Sequence, residues 1–346
     1  MQNQEVDLII VGQGLAGSIL ALEAISRNYS IKVIENNHKR TASFAAIGMH
    51  NPLIIKRLRK SWRAKEFIEN AITFYDKAAS ILGNQYRKNI DIYRPFSQKS
   101  EEDAWIEKMS LEAWKDYIDT KKTSLKTMSE SVGLVKMGGW LAVHEFILDT
   151  EKHLQAKSLH IQEEFDHGQV DISANSCSYK NIHSKHLVFC EGYQMSKNPF
   201  FNYLPMEEVK GEVILIEDKN LNLEHAIKGP FYLVPVGKNR YKAGATFDWK
   251  SLDESTTDKA KEQIIEAVRP FLSNGFKVIG QKGGVRPTVK DRRPLVGTHS
   301  KYHNLHILNG LGTRGVTLGP YFSSQLLDAI FENKTIDFEA NIARFN

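Results

Sequence analysis

Val6-Asp7-Leu8-Ile9-Ile10-Val11-Gly12-Gln13-Gly14-Leu15-Ala16-Gly17-Ser18 decides the architecture. Residues 6–11 are apolar almost without interruption, the pattern of a strand buried on both faces in a parallel sheet. Residues 12–17 match G-x-G-x-x-G and form the turn, and 18 to about 27, rich in Leu, Ile and Ala, supply a helix. Ile31–Glu35 is a second strand. A βαβ beginning predicts a parallel sheet with crossover helices. Gly12 permits the tight exit from the strand, Gly14 lets a pyrophosphate approach the backbone, and Gly17 lets the helix lie close to the sheet. The helix N-terminus then offers unpaired N–H groups and partial positive charge to phosphates. Glu35 is placed to accept hydrogen bonds from adenosine ribose hydroxyls. A Gly-rich turn of purely structural purpose is the competing reading. Strand, turn, helix and acidic residue in this order weigh against it. The unit by itself does not separate FAD from NAD.

Outward from this unit, apolar residues at Trp62, Phe67, Ile68, Ala71, Ile72, Tyr75, Ala79 and Leu82 predict a helix over 61–82. Residues 84–135 are mixed, aromatic and weakly periodic. Buried-strand character returns at 185–190 and ends at Gly192. Strands are expected at 209–216, 231–236, 240–247 and 276–281, interrupted by a helix over 258–272, which suggests an antiparallel sheet in a second lobe. Leu305–Asn309 is a short buried strand, followed by a Gly-rich turn and a closing helix expected to begin at Pro320. The turn Gly310-Leu311-Gly312-Thr313-Arg314-Gly315-Val316 makes a second place where backbone N–H groups converge. Such a turn suits the pyrimidine end of a flavin, where negative charge gathers on reduction. A loop built for close packing is the alternative.

Composition narrows the class. The 346 residues, 41% hydrophobic and 25% charged, fit an ordinary globular chain with room for two lobes. A net charge of +5 permits an anionic partner without demanding one. Two cysteines, Cys177 and Cys190, make no disulfide framework, so a reducing compartment is expected. No positive n-region precedes residues 6–11, and no apolar run is long enough for a membrane span. The expectation is a cytoplasmic protein with no membrane partner. His299, His303 and His306 span a turn and a strand with no Cys or carboxylate pattern to complete a site, so no metal is expected. Lys56-Arg57-Leu58-Arg59-Lys60, with Arg63 and Lys65, is the densest basic run. It reads as a solvated helix face ahead of a surface for nucleic-acid phosphates. Trp62 within it reads as the start of the apolar stripe.

Several motifs recur in one order: the N-terminal turn; Thr41-Ala42-Ser43-Phe44-Ala45-Ala46-Ile47-Gly48; Gly283-Gly284-Val285-Arg286-Pro287-Thr288; Asp291-Arg292-Arg293-Pro294-Leu295-Val296-Gly297; and the turn at 310–316. As a set they resemble the D-amino-acid oxidase-like family of FAD-dependent flavoproteins, which includes glycine and sarcosine oxidases. The resemblance covers nearly the whole chain, with little from 84–135. It implies an α/β fold with an α+β second lobe. A Rossmann-like FAD-binding domain (1–80, 138–205 and 283–346) would be interleaved with a substrate domain (81–137 and 206–282) on a mainly antiparallel sheet. Gly138-Gly139-Trp140-Leu141 resembles the family's return to the FAD lobe, whereas Glu191 stands where the family usually has a small residue. The turn at 310–317 with Asp291-Arg292-Arg293-Pro294 looks closest to the flavin module of the bacterial bifunctional wobble-uridine tRNA-modifying enzyme. His50-Asn51-Pro52 departs from the aromatic-Pro pairing of that branch, and the chain has no room for a companion methyltransferase.

The resemblance further implies noncovalent FAD, since neither cysteine occupies the position of covalent attachment in some relatives. Cofactor contacts are implied at Gly12, Gly14, Leu15, Ala16, Gly17, Glu35 and Asn36. They are implied also at Ser43, Ala46, Gly48, Met49 and Gly192, and at Gly310, Gly312, Thr313, Arg314, Gly315 and Val316. The implied chemistry is oxidation of the C–N bond of a small amine or amino acid by hydride transfer to flavin N5, which needs orientation more than a strong base. Arg286 is the expected clamp on a substrate carboxylate, with a structural ion pair as its alternative. Tyr232 is expected to donate to the same carboxylate, or else packs in its strand. Met49 covers the flavin face or fills core, and Arg314 either favours the anionic reduced flavin or lies on the surface. Two other functions remain open. One is removal of a carboxymethyl group from a modified tRNA wobble uridine, and the other a flavin-binding assembly subunit without turnover.

Overall fold

The computed structural model describes residues 4–36, 42–123, 125 and 128–345; Thr41 lies outside the described residues. β1 (Gln4–Val11) leads through the glycine turn into α1 (Leu15–Ser26), and β2 (Ile31–Glu35) follows. α1 begins ahead of the expected Ser18, with extended Gly14 as its N-cap. It is buried nearly all round, which is why its sequence is apolar rather than striped. α2 (Ala64–Leu82) starts later than residue 61, because Arg63 holds a left-handed φ of 45° that a helix does not continue through. β3 (Ile182–Phe189) runs parallel to β1, with Val11 opposite Phe189.

A second group of strands follows: β4 (Met206–Glu217), β5 (Tyr232–Gly237), β6 (Arg240–Gly244) and β7 (Lys277–Val289). β6 stops at Gly244, whose φ of 143° breaks the strand, rather than running to 247. β7 runs on to Val289 instead of stopping at 281, and so carries Arg286 within a strand. β8 (Leu305–Asn309) matches its expected bounds, and α3 (Gly315–Glu332) closes this part of the fold. α3 does not begin at Pro320; that proline lies inside it. A proline there offers no N–H to the carbonyl of Val316, four residues earlier. The Tyr75 hydroxyl of α2 donates to that oxygen at 3.0 Å, so the helix passes the proline with its carbonyl satisfied.

The strands form two large sheets. In the first, His160–Gln162, β2, β1, β3 and β8 lie side by side and parallel. Leu295–Thr298 adds antiparallel to β8, and the hairpin Val170–Ile172/Cys177–Tyr179 adds to β3. α1 and α3 cover one face, burying Leu20, Leu318, Phe322 and Leu326 against Leu8 and Ile10. The second sheet has eight strands in the order β7, β4, β6, β5, Ala226–Lys228, Ile92–Arg94, Ser131–Val135, Ile118–Lys122. Among the described residues one pair in it, Ala226–Lys228 with Ile92–Arg94, is parallel. This is the expected α/β arrangement with a mainly antiparallel second sheet. Residues 84–135, weakly periodic in sequence, contribute three short strands to its far side and the helix Lys99–Met109. No helix among the described residues is long and apolar enough to cross a membrane.

Two buried imidazoles make the fold sensitive to acid. Burial, with Arg87 nearby, pushes His50 down to about 4; burial, with Lys121 nearby, pushes His225 down to about 4. The unfolded chain therefore takes up more protons than the fold between about pH 4 and 6.5, so stability is full above 6.5 and falls below it. The expected loss between about pH 6.5 and 5 is on the order of 1–2 kcal/mol for His50 and less for the more exposed His225, whose charge water screens. A melting curve at pH 7 and pH 5 checks this. His225→Phe, which keeps the 3.6 Å stack on Tyr93, should shrink the difference.

Candidate functional site

A cavity of about 1030 Å³, at the upper end for small-molecule sites, opens where the first sheet's C-terminal strand ends meet the second sheet. Its lining contains every candidate residue except Gly17. Gly12 leaves β1 with φ 93°, and a Cβ on it would stand 2.6 Å from the Cys190 carbonyl oxygen. A Cβ on Gly17 would stand 1.9 Å from the carbonyl oxygen of Gly12. Gly17 thus sets the approach of α1 to the turn rather than touching what the turn holds. Gly14 has no side chain to cap α1, and the N–H of Leu15 donates to Ser43 Oγ at 3.1 Å.

The Glu35 carboxylate accepts from the backbone N–H of Gln13 at 2.6 Å and of Asn36 at 2.9 Å. A carboxylate has about four acceptor positions, so two remain for ribose hydroxyls. Behind the turn, buried Gln13 donates to Ser18 Oγ and to the Ile147 carbonyl, fixing the turn to the helix Val143–Ala156. Glu35→Gln is expected to weaken FAD binding about tenfold, near 1.4 kcal/mol for lost charge-assisted hydrogen bonds. Equilibrium dialysis against FAD measures it.

The C-terminal turn brings Gly310, Gly312, Thr313, Arg314, Gly315 and Val316 to the same cavity, with Gly315 beside Leu15. Asn309 holds the turn in place, donating to the Gly192 carbonyl at 2.8 Å. Gly312 lies against Thr288 of β7, where a Cβ would come within 3.1 Å of its Cγ2. Arg314 donates to the Arg292 carbonyl at 2.7 Å, and burial with Arg293 and Arg292 nearby lowers its guanidinium to about 10. It makes no ion pair among the described residues. Ala46, Gly48 and Met49 form another wall. The Ala46 carbonyl accepts from Lys242 at 3.2 Å, and half-buried Met49 pairs with Trp140. A dinucleotide fits this donor set: two glycine turns, an open helix end and a fixed carboxylate at one cavity.

Arg286 projects from β7 into this cavity. Its guanidinium donates to the carbonyls of Thr246 at 3.1 Å and Lys210 at 3.4 Å, and rests on the Phe247 ring with the centroid 4.6 Å away. It has no carboxylate partner among the described residues, so the ion-pair alternative does not hold there. Burial alone lowers it to about 10, which leaves it cationic at neutral pH. The Tyr232 hydroxyl, also in the lining, accepts from Asn51 Nδ2 at 2.8 Å and keeps its own proton to donate. Asn51, part of the departure noted in sequence, thus orients Tyr232.

Several lining residues escaped the sequence reading. Gly211 lies against Arg286, where a Cβ would meet the guanidinium 1.9 Å away; glycine within a strand is the sequence signal for such an approach. Lys228 sits 4.7 Å over the Tyr232 ring and is lowered to about 8 by burial and by Arg94. Glu191, which the sequence did single out, accepts from Asn198 at 2.6 Å and bonds His167 at 2.8 Å. Phe247 and Trp249 carry no motif at all. Cys190 lines the cavity with its thiol pushed up by burial, and buried Cys177 lies away from it. His306 is buried and bonds Thr298 and His186. The described residues contain no cluster of three or more metal-ligand side chains.

The basic run is not a helix face. Lys56 and Arg57 sit in a single turn, and Arg59 and Lys60 pair with Leu53 and Ile54. Arg63 is held by Glu66, Asp337 and Tyr321. Trp62 lies ahead of α2 and so does not start its apolar stripe, though its ring packs against Phe67 and Phe322.

A family model described as FAD dependent oxidoreductase (DAO) matches residues 7–328. The chain is 20% identical over 374 aligned residues to the tRNA 5-methylaminomethyl-2-thiouridine biosynthesis bifunctional protein MnmC of Legionella pneumophila. That match covers 95% of this chain and 54% of the relative, so the chain spans about half its length. Among solved structures, glycine oxidase from Bacillus cereus superposes with a TM-score of 0.79 at 19% identity, covering 95% of this chain and 96% of that one. Iminodiacetate oxidase from Chelativorans superposes at 0.80 with 15% identity and the same coverage. At these identities the two structures share the fold.

Proposed function

This chain belongs to the DAO family of FAD-dependent oxidoreductases, and from that premise we propose that it oxidises the C–N bond of a small amine or amino acid bearing a carboxylate. The observation that carries this is Arg286, a largely buried guanidinium with no acidic partner among the described residues, facing the cavity that the dinucleotide turns also line. When bound, FAD supplies the acceptor for a hydride from the carbon beside the substrate nitrogen. The chain's own residues hold and aim the substrate. Arg286 pairs with the carboxylate in a fork, Tyr232 donates to it, and Asn51 fixes the Tyr232 oxygen. Gly12, Gly14 and the α1 N-terminus take the pyrophosphate, Glu35 the ribose, and the 310–316 turn the flavin's pyrimidine end. The cofactor domain is taken as 1–80, 138–205 and 283–346, and the substrate domain as 81–137 and 206–282.

A second reading is removal of a carboxymethyl group from a modified tRNA wobble uridine. Exposed Lys56, Arg57 and Arg59 favour it; they form no ion pair among the described residues, and Lys56 lies at the cavity. The sequence likeness to the tRNA-modifying relative supports the same reading.

Anaerobic bleaching of the flavin band separates these. The panel is glycine, sarcosine, D- and L-amino acids, and tRNA carrying the carboxymethylaminomethyl group. Bleaching by a small amine, lost in Arg286→Ala, is the expected result. Bleaching by the modified tRNA alone promotes the second reading. Flavin that no member reduces favours a binding subunit without turnover.

A further inference from the structure

The wall beside Arg286 carries two aromatic side chains that the chain does not bury. Phe247 and Trp249 are each 60% exposed, and both line the cavity. Other exposed aromatics, such as Phe338, lie away from it. Leaving large apolar rings in water forgoes the burial free energy each would contribute, and contiguous exposed apolar surface marks a binding site.

The segment that bears them is firmly held. Asp248, between the two, makes a reciprocal pair of backbone hydrogen bonds with Lys210 of β4, both 2.9 Å. Alternate residues of an extended segment share a face, about 6.7 Å apart, so Phe247 and Trp249 lie on the side away from Asp248. Lys210, only 2% exposed, sends its ammonium to Asp253 at 2.5 Å and Ser255 at 3.1 Å. Thr246 is fixed by two hydrogen bonds to Glu212, and Glu212 also binds Thr257 through both carboxylate oxygens. Buried charge and polar groups anchor the segment, while its apolar groups face the open cavity.

Arg286 ties this surface to the substrate. Its guanidinium lies on Phe247 and donates to Thr246, so a carboxylate paired with Arg286 sits beside Phe247 in the cavity that Trp249 also lines. Ile54, 39% exposed, adds a further apolar side chain to the cavity lining. We infer that the substrate is a carboxylate-bearing amine with a flat aromatic or heteroaromatic ring, seated against Phe247 and Trp249. A bare glycine or sarcosine would leave both rings wet. This rests on the reading above, in which Arg286 holds the carboxylate.

The test uses the FAD-loaded protein and two probes, sarcosine and N-benzylglycine. Each is titrated for its perturbation of the flavin band and for anaerobic bleaching. N-benzylglycine should bind about tenfold or more tightly than sarcosine, from ring stacking and apolar burial. That ratio should collapse toward one in Trp249→Ala and persist in the surface control Phe338→Ala. N-cyclohexylmethylglycine should fall between the two probes, since it buries area without a flat ring. Equal binding of sarcosine and N-benzylglycine, each lost in Arg286→Ala, would overturn the inference and leave the carboxylate reading standing. A ratio unchanged in Trp249→Ala would overturn it as well. If neither probe perturbs or bleaches the flavin, the carboxylate-amine reading fails and the inference falls with it.

Discussion

Arg286→Met is expected to lower kcat/KM for a carboxylate-bearing amine by roughly 100- to 1000-fold, about 3–4 kcal/mol, the scale of a desolvated charge pair losing one partner. Most of the change should appear in KM, because the contact is made in the bound substrate as well as in the transition state. Arg286→Lys should recover little, since an ammonium does not reproduce the planar fork. The discriminating observation is stability. In the free protein the guanidinium is buried with only two carbonyl acceptors and no counter-charge among the described residues. Exchanging it for an apolar chain of similar length should leave Tm unchanged or raise it. A structural ion pair would give the opposite sign, with Tm falling together with activity. Steady-state kinetics and a melting curve on one preparation decide between them.

Gly17→Ala should yield protein without flavin colour. The new methyl would stand 1.9 Å from the Gly12 carbonyl oxygen, and the obstacle is backbone, which no rotamer change relieves. Either α1 moves off the sheet or the turn opens, at a cost of roughly 3 kcal/mol or more. Both outcomes dismantle the pyrophosphate cradle. Gly83→Ala is the control. Its φ of 75° is unfavourable for alanine, a strain Gly17 does not carry, but nothing lies within 4 Å of the added Cβ. It should cost only about 1 kcal/mol, from left-handed backbone strain, and retain FAD. The ratio of flavin to protein absorbance after purification reads both. Flavin retained in Gly17→Ala would mean that the approach of α1 is not what shapes the turn.

The parallel sheet and its glycine turn were legible because they rest on local constraints. A strand buried on both faces must be apolar along its length, and β8, buried at all five positions, kept its expected bounds. Errors came where a distant residue changed a local rule. Pro320 marks a helix start only if the carbonyl four residues back is left without a donor, and Tyr75, from α2, supplies one. Arg63 looked like part of a charged helix face, but its left-handed backbone and its bonds to Asp337 and Tyr321 come from the folded chain. At the site, the N-terminal glycines and Glu35 stood out by type and spacing, and Arg286 through the family resemblance. That Arg286 has no carboxylate partner among the described residues did not, since a sequence does not say what surrounds a side chain. Phe247 and Trp249 read as ordinary apolar residues, and only the fold sets them at the cavity unburied.

β7 bears on both halves of the site. Arg286 stands near its end, and two residues on, Thr288 meets Gly312 of the C-terminal turn. The strand is paired along its length with β4, so it shifts as a unit rather than residue by residue. On the reading proposed above, a carboxylate at Arg286 and a flavin at the Gly312 turn would press on neighbouring residues of the same strand, so each would bear on the binding free energy of the other. Reciprocity then fixes the exchange rate: whatever factor FAD contributes to holding a carboxylate ligand, that ligand must contribute to holding FAD. Where both favour the same placement of β7, a cell short of flavin would retain the cofactor longest in those copies already engaged with substrate.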